Sequence, residues 1–217
     1  MDTNTQPDSL VLSYLDLRKA VGVIGIALPF VLVFGKFVLQ GGGIQSSISS
    51  YYYTSMRDVF VGSMCAIAVF LGAYRGYGKT DSIAGNLACV FALGVALFPT
   101  ASENPTQIQA VVGSLHVFFA SGLFLTLAFF ALFLFRKTNP NKLPTQNKIK
   151  RNAVYTICGV VILVCIALAY SLKFLPAHSP IFKLSPLFWF ESIAIFSFGV
   201  SWLVKGEAVL KDESSNS

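Results

Sequence analysis

Three ionisable side chains fall inside or at the edge of long apolar runs: Asp58, His116 and Glu191. Charge in such a setting is costly, and each group marks a functional site by default. A histidine beside carboxylates can move protons, and an arginine can hold an anionic group through charge-assisted hydrogen bonds. Arg57 stands next to Asp58, at the end of Ser-Ser-Ile-Ser-Ser-Tyr-Tyr-Tyr-Thr-Ser-Met-Arg-Asp (46–58). The adjacent tyrosines Tyr51, Tyr52 and Tyr53 suit a membrane–water boundary, rings towards lipid and hydroxyls towards water. The seven residues Tyr51, Tyr52, Tyr53, Arg57, Asp58, His116 and Glu191 therefore predict one outward-facing polar pocket. In it Arg57 contacts an anionic headgroup, the tyrosines flank it, and His116 with Glu191 forms the floor.

The same residues admit other readings. His116 can be the base of a membrane-embedded lipid hydrolase or transferase, oriented by Asp58 or Glu191. Glu191 can be the carboxylate of a small proton-linked transporter. The bland alternative pairs Arg57 with Glu191 or Asp58, bonds His116 to a backbone carbonyl, and leaves the cluster only to pack helices. Metal and cofactor chemistry is not expected. The chain has only two histidines, His116 and His178, whereas a catalytic zinc takes three protein ligands, and facing histidines for a haem are lacking. Cys65, Cys89, Cys158 and Cys165 all lie in apolar runs and form no Cys-x-x-Cys motif.

The elements that must position these groups are membrane spans. Of 217 residues, 54% are hydrophobic and 12% charged, with a mean hydropathy of +0.67. Soluble domains carry about 25% charged residues. Crossing about 30 Å of hydrocarbon takes roughly 20 helical residues. Six windows qualify, near 20–40, 58–77, 83–99, 111–135, 153–174 and 186–204. The expected fold is therefore all-α, a polytopic bundle of six transmembrane helices between a polar tail at 1–19 and another at 205–217. Residues 1–14 lack the basic start and short apolar core of a cleaved signal, so the first span is expected to stay as an anchor.

Arg18, Lys19, Arg75, Lys79, Arg136, Lys137, Lys142, Lys148, Lys150, Arg151, Lys205 and Lys211 fall on one side of such a bundle. Lys36, Arg57, Lys173 and Lys183 fall on the other. An excess of Lys and Arg marks the cytoplasm, so both termini are expected inside. The charge of +6 is thereby a topology signal, and nucleic acid is not an expected partner. The expected partners are membrane lipids, with a homo-oligomer or a partner membrane protein left open. Within the spans, Ala84, Ala88, Ala92 and Ala96 form a ribbon of small residues suited to close helix packing. Lys36 is expected to snorkel and Asp81 to cap a helix.

Three segments also carry a resemblance: Val-Ala-Leu-Phe-Pro-Thr (95–100), Leu-His-Val-Phe-Phe-Ala-Ser-Gly (115–122) and Phe-Trp-Phe-Glu-Ser-Ile-Ala-Ile-Phe-Ser-Phe (188–198). Their order resembles a six-span group (DRAM/FRAG/SFK-like). It contains the damage-regulated autophagy modulators, the FGF-receptor-activating/GPI-remodelling protein and the yeast-type suppressor of a phosphatidylinositol 4-kinase defect. The likeness runs from the first span to the last, and His116 and Glu191 are the family-like pair. The first outer loop departs from the pattern, since the group tends to carry an acidic, Ser/Thr- and Gly-containing segment there. The chain also resembles small bacterial membrane families, and its compact loops suit a bacterial inner membrane. The resemblance implies a link to membrane lipid handling or regulation, without a set catalytic chemistry.

Overall fold

A computed structural model of the protein describes residues 6–76, 78–102, 104–138, 145–176 and 178–210. Six helices carry the chain: α1 Gln6–Leu39, α2 Arg57–Gly72, α3 Lys79–Leu97, α4 Gln107–Phe129, α5 Gln146–Ser171 and α6 Pro186–Lys205. No strand occurs among the described residues. Each helix packs on its neighbour in sequence and α6 closes onto α1, giving a ring of antiparallel helices. Across that ring α4 and α6 scarcely touch.

Among the described residues, five stretches are long and apolar enough to cross a membrane: Tyr14–Leu39, Lys79–Leu97, Gln107–Leu134, Gln146–Phe174 and Pro186–Lys205. The second expected window, 58–77, is helical only over the 16 residues Arg57–Gly72. At 1.5 Å per residue these rise about 24 Å. The chain leaves the helix there because Tyr74 turns inward, 1% exposed, with its ring edge-on to Phe130 and Trp202. Tyr14 fastens the exit through its hydroxyl, which bonds the backbone of Arg75. At the other extreme α1 begins well before the expected start at 20, so the N-terminal polar stretch is helical from Gln6.

Small residues set the closest approaches. The alanine ribbon of α3 is buried throughout, with Ala84, Ala88, Ala92 and Ala96 between 0% and 4% exposed. Where α1 meets α6, a methyl group on Gly22 would stand 2.8 Å from the Gly199 carbonyl oxygen, and one on Gly199 would stand 2.7 Å from that of Gly22. Backbone lies against backbone there, as in helix pairs that must associate without help from water.

At the end of the bundle where α1 begins and α6 ends, Tyr74, Phe130, Phe135, Tyr155 and Trp202 form an aromatic plug. Chain geometry adapts to it: α4 ends in a wide turn over Phe130–Leu134, where the Phe135 N–H bonds back to the Phe130 carbonyl at 2.9 Å. Asp81 does not cap α3. It lies inside the first turn, fully buried, and accepts from Lys137 Nζ at 2.5 Å, because a cation from the α4 exit offers a stronger partner than a helix N–H. Lys36 does not snorkel either. It is 6% exposed, and its ammonium donates to the carbonyls of Gly41 at 3.2 Å and Gly43 at 2.8 Å. All four cysteines are free.

Candidate functional site

The site is built by the segment between α1 and α2. Gly41 and Gly42, at φ of 74° and 78°, turn the chain back across the bundle end, and the Lys36 ammonium ties the turn down. Positive φ costs glycine little, which is why two glycines stand there. The returning chain forms a short 3₁₀ turn, Ser49–Tyr53, over the gap between α4 and α6. Ser47 braces it, its Oγ accepting from the Ser50 N–H at 3.0 Å. From α6, the Phe188 N–H donates to the Ser46 carbonyl at 3.0 Å and Glu191 Oε2 accepts from the Ile48 N–H at 2.6 Å.

His116 closes the contact from α4. Its Nδ1 lies 2.7 Å from the Phe98 carbonyl oxygen, and its Nε2 lies 2.9 Å from Ser49 Oγ. A carbonyl only accepts, so Nδ1 carries the hydrogen. In the neutral ring Nε2 is then the acceptor, and the Ser49 hydroxyl donates to it. The chain of contacts runs from the end of α3 through the imidazole to the turn, with His116 4% and Ser49 7% exposed.

Beneath the turn lies a cavity of about 150 Å³. Ser47, Ser49, Thr100, His116 and Glu191 line its polar end, and Phe124, Cys165, Ile166, Leu187, Phe190 and Ala194 are among the apolar walls. Tyr170 and Lys173 stand at its edge on the α5 side. The Tyr170 hydroxyl bonds Ser121 Oγ at 2.8 Å, and the Lys173 ammonium sits 4.6 Å from the centre of the Tyr170 ring.

Of the seven residues singled out in the sequence, the structure brings His116 and Glu191 together through the turn. Tyr51 belongs to the packing of the turn: it is fully buried, with its ring 6.3 Å from that of Phe188, and burial raises its phenol above the ordinary value. Tyr53 donates to the Thr100 carbonyl at 2.7 Å, and Tyr52 lies edge-on to it and under the Arg57 guanidinium. Neither Arg57 nor Asp58 lines the cavity. Their side chains are 59% and 98% exposed and face one another at 3.9 Å, since the first turn of α2 stands at the rim of the ring and presents them outward.

Sequence reasoning passed over Ser47, Ser49, Tyr170 and Lys173. The one available signal was His116 itself: a buried imidazole needs partners for both nitrogens, and the serine-rich 46–50 segment lies at the same end of the bundle. No group of three metal-ligating side chains occurs among the described residues. No family model, curated protein or solved structure matches this chain.

Proposed function

We propose that the protein is a six-span integral membrane protein that binds an amphiphile, with the polar end of the ligand at Ser49, His116 and Glu191 and its chain along the walls of α4, α5 and α6. The observation that carries this reading is the two-faced cavity: hydrogen-bonding groups gathered under the 49–53 turn, apolar side chains below them. Ligand sites commonly have this makeup, with a few placed polar groups in an apolar enclosure. In this reading α2 is the sixth span, a short one. The bilayer thins locally to meet it. Both termini are cytoplasmic, because the Lys- and Arg-rich end of the ring is the end that holds them. A bacterial inner membrane is the setting, and the role is lipid-organising or regulatory, as the likeness to the autophagy-modulator and GPI-remodelling group implies.

Native mass spectrometry of the gently extracted protein tests this. A defined amphiphile mass on the wild type is expected, lost when Ala194→Phe fills the cavity and kept by Arg57→Ala, whose side chain lies outside it. A bare wild-type protein, or a ligand mass that follows Arg57 rather than Ala194, would sink the reading.

A further inference from the structure

We propose that Ser49 and His116 are a nucleophile–base pair that cleaves a carboxylic ester of the bound amphiphile by acyl transfer through Ser49 to water. This rests on the cavity being an amphiphile site and adds a reaction to it. The first ground is geometry. Ser49 Oγ and His116 Nε2 are 2.9 Å apart, within the reach a general base needs. The Phe98 carbonyl at 2.7 Å fixes the imidazole in the tautomer that leaves Nε2 free to take the serine proton.

The second ground is how unusual the Ser49 partner is within this fold. Ser114, Ser121 and Thr126 each donate to the carbonyl four residues back in their own helix, the ordinary outlet for a hydroxyl among apolar side chains. Ser49 donates to an imidazole instead. The third ground is placement. Both groups are buried against bulk water yet line the cavity, whose 150 Å³ holds about five groups the size of a water molecule. That is room for an ester carbonyl and the first methylenes of its chain.

The steps balance without an oxidant or a metal. Ser49 Oγ forms a bond to the ester carbonyl carbon as its proton passes to His116 Nε2, while Nδ1–H stays on the Phe98 carbonyl. Collapse of the tetrahedral adduct breaks the bond to the alcohol oxygen, which leaves with the Nε2 proton. Water then gives a proton to Nε2 and attacks the acyl-serine. The carboxylic acid departs, and the proton returns to Ser49 Oγ.

The test uses the full chain in detergent with an alkyl fluorophosphonate, which bonds to activated serines, read by intact mass and peptide mapping. One adduct per chain at Ser49 is expected. Ser49→Ala should abolish it, His116→Gln should slow it about 100-fold or more, and Ser114→Ala should leave it unchanged. Mapping needs no variant, so a folding failure in His116→Gln does not rescue the proposal: no adduct on the wild type, or an adduct elsewhere, overturns it. Native mass spectrometry of the same wild-type sample separates the two ideas. An amphiphile mass without labelling leaves a binding protein and removes the reaction. A chain that neither binds nor labels removes both.

Discussion

Glu191 holds one end of the 49–53 turn through the Ile48 N–H, and the chemistry of that contact can be probed directly. Glu191→Gln keeps an oxygen for the N–H, whereas Glu191→Ala leaves a buried donor unpaired, which costs about 1–3 kcal/mol. Thermal unfolding in detergent should therefore place the alanine variant well below the glutamine variant. Tyr53 gives a pH signature. Burial raises its phenol above the ordinary value, so the neutral form is favoured in the fold. That contribution is present below the unfolded value of about 10 and is lost as pH rises through the higher folded value. The Tyr53–Thr100 tie should hold from neutral pH to about 10 and release above it, read as a red-shifted tyrosinate absorbance whose Tyr53 share the Tyr53→Phe variant lacks. His116 and Glu191, which the structure places together under the 49–53 turn, were legible as a pair because charge inside an apolar run has few harmless explanations. Ser49 was not, since serine is ordinary in a loop and its partner lies 67 positions away. Arg57 and Asp58 misled because they adjoin the tyrosines in sequence, while the first turn of α2 carries them to the rim.

At the level of elements, hydropathy and length disclosed α1 to α6 but not the short 3₁₀ turns, and helix ends were less visible. The window 58–77 overran α2 because hydropathy does not register that Tyr74 is wanted in the aromatic plug, where its ring meets Trp202 at 5.3 Å. Likewise Asp81 reads as a cap from its position alone, and only the arrival of Lys137 from the α4 exit turns it inward. The alanine ribbon was legible because its spacing is itself the packing surface. The contact of α1 with α6 was not, as it joins Gly22 to Gly199 across the whole sequence. Adding side chain there forces the helices apart, and overpacking of this kind costs about 1–3 kcal/mol. Gly199→Val should lower the detergent unfolding temperature, and Gly62→Val, where open space receives the methyls, should not.

For the molecule as a whole, that α1 begins and α6 ends at the same end of the bundle followed from an even number of windows, whereas the ring order did not. Which helices stand apart did not, because no pattern within α4 or α6 states that they scarcely meet. Membrane orientation is open to a direct check. Single cysteines at exposed Ser55 and Gly78, in a background with Cys65, Cys89, Cys158 and Cys165 replaced by alanine, should react with a membrane-impermeant maleimide from opposite sides of sealed vesicles. Labelling of both from one side would mean that α2 does not cross. The separation of α4 from α6 has a further consequence. A cavity between spans fills from the bilayer, so the amphiphile proposed for it would be counted per lipid molecule and not per volume of water. Diluting vesicles tenfold with buffer should leave occupancy where it was, whereas diluting the same ligand tenfold with inert carrier lipid should empty the site.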